Sequence, residues 1–310
     1  MGLSHAALKA SLRGLVGFGV TPFYRDFTID QESLRRNAAH LAKHCDVVVA
    51  LGNNGEIFSL SFNEQILVGR CVVEEIGGRK PVLVGVGFSF SDTRELAREA
   101  EEYGADGVLV LPPHYSKSND EGMFAYYKAA ASATNLGVIL FQTPECNFSL
   151  PLLRRLAEIP NIVALKDEHG DMKQFVRQKA AAGDHFEMLC GVGEILAPSY
   201  SALGVKGFTS GLVNFMPQTS LAIMACLQKG LLEGASRIVA RDTLAIFELR
   251  VKHPGYSTSV IKEAMNLCGI PAGPVRPPLP PLFASDVEDL RKILRSCGAL
   301  KPIKAGTHPR

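Results

Sequence analysis

The chain has 310 residues, of which 46% are hydrophobic and 21% charged, and its formal net charge is +2. This composition is ordinary for a globular protein with a large core, and so small a net charge disfavours nucleic acid or an anionic membrane surface as the main partner. The seven cysteines form no C-x-x-C pair, which indicates reduced thiols in a cytoplasmic protein and disfavours a disulfide framework or a zinc site.

Eight short apolar runs recur along the chain up to residue 210 at fairly even spacing. Continuous apolar runs of this length are typical of strands buried on both faces of a parallel sheet. Segments with helical spacing lie between them, so the pattern predicts an α/β fold, a (β/α)8 TIM barrel over residues 12–215. A doubly wound open sheet is the alternative, but no G-x-G-x-x-G turn follows the first run. The runs are 15–20, 47–51, 81–86, 107–111, 137–141, 162–166, 187–191 and 206–210.

Helix boundaries can be read at two places between these runs. Asp30 is the predicted N-cap of the helix after the first strand. Ser91 or Asp92 is the predicted cap of the helix that ends near Gly104.

The strand signal stops after residue 215. The stretches 217–253, 257–269 and 285–298 have helical spacing and predict C-terminal helices packed on the barrel over residues 216–300. The last residues, 301–310, predict a flexible tail. The proline-rich connector 272–282 resembles a PxxP ligand, but a stiff link between two helices is the interpretation we favour inside a folded chain.

Lys166 is the one residue at a strand end whose place packing does not explain. In such a barrel the chemistry lies where strands run into the following loops. A salt bridge with Asp167 or Glu168 is one interpretation. The other is a Schiff-base lysine, because an amine in a low-dielectric barrel mouth loses its charge more readily and can attack a carbonyl near neutral pH. The resulting iminium would allow loss of water or carbon–carbon cleavage without a metal.

The turn GNNGE, residues 52–56, is a second candidate feature. Its backbone N–H groups could form a nest for a carboxylate, and the side chains of Asn53 and Asn54 would add donors. An ordinary β–α turn is the alternative. A third candidate is GVKGFTSG, residues 204–211, as a phosphate site of the kind common at the seventh and eighth strands.

Four stretches together resemble the dihydrodipicolinate synthase/N-acetylneuraminate lyase family, over roughly residues 12–297. They are GVTPF at residues 19–23, the 52–56 turn, GADGVLVLPPHY at residues 104–115, and Lys166 at the sixth strand. Within the family, residues 207–217 and 253–279 are most similar to the 5-dehydro-4-deoxyglucarate dehydratase branch. The resemblance implies a (β/α)8 barrel, a homotetramer built from dimers or a homodimer, and no cofactor or metal. It also implies an imine between Lys166 and a 2-oxo acid whose carboxylate the 52–56 turn holds.

The sequence departs from this family at the proton carrier. Phe141 stands where the family usually has a tyrosine beside the imine, and Asn53 and Asn54 stand where threonines commonly relay protons. Tyr115 matches a family tyrosine near the site, and it or His114 could replace the missing carrier. For His114, a place at a subunit contact is the alternative.

A further departure bears on the substrate. True dihydrodipicolinate synthases have an arginine shortly after that tyrosine, which binds the carboxylate of their aldehyde substrate. Glu145 and Cys146 stand there instead, which counts against a role in lysine biosynthesis.

The sequence therefore predicts a Schiff-base lyase, a dehydratase or an aldolase, that acts on a 2-oxo sugar acid. A catalytically weak or silent barrel that binds a 2-oxo acid as sensor or scaffold stays open because of Phe141. Another activity, that of a phosphosugar aldolase or of a dihydrodipicolinate synthase, stays open too. The predicted catalytic residues are Lys166, Tyr115 and His114; the predicted substrate-binding residues are Thr21, Gly52, Asn53, Asn54, Gly55, Phe141 and Ser210.

Overall fold

The computed structural model of the protein describes residues 3–113 and 117–300. Parallel strands β1 to β8 close into one barrel in the order of the chain, with β8 pairing back onto β1, so the predicted (β/α)8 TIM barrel is confirmed. Every predicted apolar run forms a strand. The strands are β1 Leu15–Phe18, β2 Val47–Ala50, β3 Val82–Phe88, β4 Gly107–Pro113, β5 Gly137–Gln142, β6 Ile162–Asp167, β7 Glu187–Cys190 and β8 Gly207–Ser210.

Helices precede the barrel, alternate with its strands and follow it. Of the two predicted caps, Asp30 is correct, because its carboxylate accepts a hydrogen bond from the Ser33 N–H at 3.0 Å. The α-helices up to the last strand are α1 His5–Ser11, which precedes the barrel, and α2 Gln31–His44, α3 Phe62–Ile76, α4 Phe90–Glu102, α5 Asp120–Ala131, α6 Leu150–Ala157, α7 Met172–Ala182 and α8 Ala197–Ala202. After the barrel come α9 Pro217–Gln228, α10 Leu232–Ile238, α11 Leu244–Val251, α12 Tyr256–Leu267 and α13 Ala284–Ser296.

The predicted cap of α4 is wrong by two or three residues. The Ser89 hydroxyl accepts a hydrogen bond from the Asp92 N–H at 3.0 Å, so Ser91 and Asp92 lie inside the helix. Sequence alone offered several capping side chains in a row, and only the backbone geometry after β3 selects the first of them.

The predicted C-terminal helices are present, and the long stretch 217–253 forms three helices, α9, α10 and α11. Gly230, with φ +72°, lies between α9 and α10 in a left-handed conformation that favours glycine. A π-helical turn, Val239–Thr243, joins α10 to α11. Helices α11, α12 and α13 share an apolar cluster that includes Ile246, Val260 and Leu290, and Val20 of the barrel mouth belongs to it as well. These three helices therefore pack at the end of the barrel where the strands finish, whereas Ile223 of α9 and Ala235 of α10 belong to the core of the barrel.

The opposite end of the barrel is closed by α1, which the sequence analysis did not predict. Leu8 is fully buried there. A Cβ on Gly107 or Gly137 would lie 2.8 Å or 2.5 Å from the Leu8 Cδ2, so the two strands begin with glycine where this side chain packs. Among the described residues, no helix is both long and apolar enough to cross a bilayer.

Candidate active site

Lys166 is the next-to-last residue of β6, and its side chain is only 3% exposed. It faces Phe141 in the register between β5 and β6. Its Nζ forms an ion pair with Glu168, and it lies 3.5 Å from the centroid of the Phe141 ring and 5.1 Å from that of the Phe18 ring. The salt bridge that the sequence offered as one interpretation is therefore present, with Glu168 as the partner.

The environment of Lys166 makes its ammonium easier to deprotonate. Burial lowers the pKa of Lys166 from its usual value, and the charge of Glu168 partly opposes that shift. Glu168 is 35% exposed, so its carboxylate can exchange protons with water. An amine with a lowered pKa and a proton acceptor in contact with it is suited to nucleophilic attack on a carbonyl.

The neighbouring Asp167 anchors the end of β6 from outside the barrel. Successive side chains of a strand point to opposite faces, so Lys166 and Asp167 diverge. The Tyr200 hydroxyl donates to Asp167 Oδ2 at 2.6 Å, and Gln142 Nε2 donates to Oδ1 at 2.9 Å. The His169 N–H donates to Oδ1 at 3.0 Å. These bonds hold in place the backbone that carries the lysine.

The predicted carboxylate nest is a 3-10 turn, Asn53–Gly55, directly after β2. A Cβ on Gly52 would lie 2.6 Å from the Phe18 ring, so only glycine fits at the start of the turn. The Thr21 hydroxyl donates to the Gly55 carbonyl at 2.7 Å. Thr21, Gly52 and Gly55 thus fix the conformation of the turn.

The two asparagines of the turn differ in their surroundings. Asn54 is 9% exposed, and its Nδ2 lies 2.6 Å from where a Cβ on Gly211 would be. The Asn54 amide therefore packs against the loop after β8. Asn53 is exposed, and its carbonyl accepts a hydrogen bond from the Thr258 hydroxyl at 3.3 Å.

Behind the turn lies a buried ion pair that the sequence analysis missed. Glu56, left-handed with φ 54°, is fully buried and accepts from Lys262 Nζ of α12 at 2.7 Å. Burial lowers the pKa of Lys262 to about 8 and raises that of Glu56. Lys262 also donates to the Thr21 carbonyl at 2.9 Å, and the Arg276 N–H donates to Glu56 Oε2 at 2.8 Å. The C-terminal part thereby fixes the turn.

Ser210 ends β8, and its hydroxyl is engaged by protein groups. It donates to Glu194 Oε1, and the Val213 N–H donates to it at 2.9 Å. The Ser220 hydroxyl donates to the same Glu194 oxygen at 2.6 Å. Burial raises the pKa of Glu194. Its other oxygen, Oε2, is buried and accepts no hydrogen bond from the described residues.

A cavity of about 520 Å³ brings several of the predicted residues together. Its lining includes Lys166, Asn53, Asn54 and Ser210. Thr21, Gly52 and Gly55 are not in this lining and support the turn instead. A second cavity of about 720 Å³ shares Asn53 with the first and is lined by Phe141, Glu145 and Cys146 among others. We call these the lysine cavity and the phenylalanine cavity.

The remaining predictions from the sequence concern His114, Tyr115 and the candidate phosphate stretch at residues 204–211. His114 and Tyr115 lie outside the described residues. Gly204, the first residue of the candidate phosphate stretch, precedes β8 at its amino end, so only the far end of that stretch reaches the lysine cavity. Within residues 3–113 and 117–300, no group of three His, Cys, Asp or Glu side chains is arranged to hold a metal ion.

The sequence also matches a family profile, that of the dihydrodipicolinate synthetase family, over residues 11–297. The chain belongs to this family. A probable 5-dehydro-4-deoxyglucarate dehydratase from Bradyrhizobium diazoefficiens is 34% identical to it over 293 residues, which covers 93% of each protein. Another from Rhodococcus opacus is 34% identical over 288 residues, 91% of this chain and 94% of that protein.

Solved structures of dihydrodipicolinate synthetase family members have the same fold. The dihydrodipicolinate synthase of Oceanobacillus iheyensis superposes with a TM-score of 0.91 at 30% identity and covers 95% of this chain and 99% of that one. The chloride-inhibited enzyme of Acinetobacter baumannii, complexed with pyruvate, gives a TM-score of 0.86 at 28% identity and covers 93% and 100%. Both likenesses extend over the barrel and the C-terminal helices.

Two residues of the lysine cavity had no clear signal in the sequence of this family member. The sequence predicts Glu168 only as a salt-bridge partner of Lys166, and it does not mark Arg250 of α11. The signal that the sequence does contain for Glu168 is its position, because a carboxylate two residues after a Schiff-base lysine candidate is close enough to carry a proton. Nothing local marks Arg250, because only the folding of α11 over the barrel mouth brings it to the cavity.

Proposed function

We propose that the protein is a Schiff-base lyase, a dehydratase that acts on 5-dehydro-4-deoxyglucarate through an imine on Lys166. The observation that carries the proposal is the buried Lys166 amine, which shares one cavity with the Asn54 turn and contacts a carboxylate. The names of the relatives supply the substrate. A 2-oxo acid needs a nucleophile at its carbonyl and donors at its carboxylate, and this cavity offers both.

Imine formation can be followed through named groups. Glu168 accepts a proton from the Lys166 ammonium, and the neutral amine adds to the carbonyl carbon of the substrate. The carbinolamine hydroxyl then takes a proton from Glu168 and leaves as water, so the C–O bond breaks as the C=N bond forms. The backbone and amide donors of the 52–56 turn hold the adjacent carboxylate.

Dehydration follows from the chemistry of the iminium. It withdraws electrons from the neighbouring carbon, and a base removes a proton there to give an enamine. The same base returns that proton to the hydroxyl of the next carbon, which leaves as water as the enamine electron pair forms the new C=C bond. Hydrolysis of the new imine restores Lys166. Phe141 has no group that can accept or donate a proton. We therefore assign the proton transfer at the carbon beside the imine to Glu168, which contacts the same amine. Tyr115 and His114 stay candidates for the same role.

A dehydratase fits this chain better than a dihydrodipicolinate synthase does. The second substrate of a synthase carries a carboxylate, and the family resemblance places the arginine that binds it in the loop after the fifth strand. The loop after β5 instead supplies Glu145 to the phenylalanine cavity, and a carboxylate there repels such a substrate. The proposal also includes a homotetramer or homodimer in the cytoplasm, which sedimentation of the purified protein and cell fractionation would test.

The test of the proposed function is trapping followed by turnover. Borohydride with pyruvate should add the ligand mass to the peptide that holds Lys166, and Lys166→Ala should abolish the adduct. Lys173→Ala, at an exposed lysine of α7, is the matched control and should keep it. An adduct that survives Lys166→Ala would disprove the assignment. Trapping without consumption of 5-dehydro-4-deoxyglucarate, measured by mass spectrometry, would identify a silent barrel.

A further inference from the structure

Arg250 of α11 brings a guanidinium to the lysine cavity from the C-terminal part of the chain. Its Nε donates to the Ser257 carbonyl at 3.1 Å, and its Nη2 donates to the Ser257 hydroxyl at 2.8 Å. Its Cζ lies 5.0 Å from the centroid of the Phe247 ring. The guanidinium is thus oriented from one side, and these contacts do not use its Nη1.

The described part of the chain provides no carboxylate partner for this arginine. Among the residues that the structure describes, no acidic side chain lies within ion-pairing distance of Arg250. Burial lowers its pKa, and the more distant charges of Glu194 and Glu168 oppose that shift. Arginine nevertheless stays protonated in proteins. A partly desolvated cation without a counter-ion favours an anion in the space beside it.

The other ionisable groups in the described lining of the cavity each have at least one protein partner of their own. Lys166 and Glu168 form an ion pair. Glu194 accepts hydrogen bonds from Ser210 and Ser220, and burial raises its pKa, which favours its neutral form. Among the described residues that line this cavity, Arg250 is therefore the one cationic side chain that has no acidic partner.

We propose that Arg250 binds the second carboxylate of the substrate and so selects dicarboxylic over monocarboxylic 2-oxo sugar acids. This inference rests on the proposed function, because a glucarate derivative carries a carboxylate at each end of its carbon chain. The 52–56 turn takes the carboxylate beside the imine, and Arg250 takes the one at the far end. A guanidinium binds a carboxylate through paired N–H donors, which a hydroxyl group cannot match.

A purely structural role is the competing explanation. Arg250 joins α11 to α12 through Ser257, and its loss could loosen both helices. Such a defect would lower activity on every substrate alike. A charge-reading role instead lowers activity only on substrates that carry the far carboxylate, so the ratio between two substrates separates the explanations.

The experiment compares two substrates and three variants. The substrates are 5-dehydro-4-deoxyglucarate and its analogue in which the far carboxylate is a hydroxymethyl group. The variants are Arg250→Gln, Arg250→Lys and, as control, Arg237→Gln, which changes an exposed arginine of α10. The measured quantities are kcat/KM for each substrate and borohydride trapping of pyruvate, which has no far carboxylate.

Arg250→Gln should lower kcat/KM for the dicarboxylate by about 10- to 100-fold, the effect of losing a charged hydrogen-bonded pair, and should leave the analogue nearly unchanged. Arg250→Lys keeps the positive charge but loses the paired N–H donors, so its kcat/KM for the dicarboxylate should lie between those of the wild type and Arg250→Gln. This variant also tests the proposal if Arg250→Gln does not fold. Arg237→Gln should match the wild type. An equal loss on both substrates, or none, overturns the role of Arg250. Failure of the wild type to trap pyruvate overturns the proposed function instead.

Discussion

The Lys166 ammonium lies 3.5 Å from the centroid of the Phe141 ring, and the two residues face each other in register on neighbouring strands. A cation over an aromatic face is stabilised by the ring, typically by about 0.5–2 kcal/mol. Phe141 therefore acts on the charge of the amine and cannot move its protons. The contact leaves Glu168 as the group of the described site that can exchange a proton with Lys166.

Phe141→Tyr should not raise kcat. The amine lies over the face of the ring, whereas a new hydroxyl would extend from its edge, and Glu168 already serves the amine. The measurement is turnover of 5-dehydro-4-deoxyglucarate by both proteins. A gain of about 10²–10⁴-fold, the usual contribution of a positioned acid–base, would mean that the wild type lacks a proton carrier and is a weak or silent barrel.

Glu168→Gln should shift the pH dependence of imine formation towards lower pH and slow turnover. The carboxylate favours the charged amine, so removing its charge lowers the pKa of Lys166 further, and the neutral amine appears at lower pH. The rate of pyruvate trapping, measured across pH, reports the shift. Glu145→Gln, an exposed carboxylate of the phenylalanine cavity, should leave the profile in place. Unchanged turnover by Glu168→Gln would return the proton to Tyr115 or His114.

Asn54→Ala should weaken 2-oxo acid binding by ~1–3 kcal/mol, because a hydrogen bond to a carboxylate is lost. The fold should persist, since Glu56 and Thr21 still hold the turn. The pyruvate concentration that gives half-maximal trapping measures the effect. Asn53→Ala, at the exposed asparagine, should cost less. Equal affinity of Asn54→Ala and the wild type would remove Asn54 from the binding site.

Glu64→Gln should destabilise the protein at pH 7 and have less effect in acid. The Arg276 guanidinium, 2.6 Å from Glu64, lowers the pKa of that carboxyl from 4.5 to about 2. A folded-state pKa below the unfolded value adds stability above pH 4.5 that is lost as the pH falls towards 2. Urea unfolding at pH 7 and in acid should therefore show a difference in the free energy of unfolding between wild type and variant that becomes smaller in acid. Glu233→Gln, at an exposed pair, should show no such change, and a gap that widened in acid would contradict the assignment.

The barrel could be predicted because local signals agree with the global fold. The run 162–166 is apolar over a strand length and becomes β6, and its terminal lysine falls at the barrel mouth for the same reason. Partners brought together from distant parts of the chain could not be predicted. Glu56 and Lys262 are separated by 206 residues, and neither has a sequence pattern that names the other. The exact start of α4 could not be predicted for a different reason: Ser89, Ser91 and Asp92 are all residues that commonly cap helices, and the sequence does not distinguish between them.

The pair between Glu56 and Lys262 also concerns the order in which the protein is completed during synthesis. A nascent chain that has passed β8 already carries every strand of the barrel together with Lys166. The turn that we propose as the carboxylate site still lacks the partners of Glu56, because Lys262 and the backbone N–H of Arg276 are translated later. A buried carboxylate without its partner costs about 3–5 kcal/mol, so the turn becomes stable only when the last helices dock. The proposed carboxylate site would thus form after the strands of the barrel, and an unfinished chain would carry Lys166 without the turn that we propose to hold the substrate.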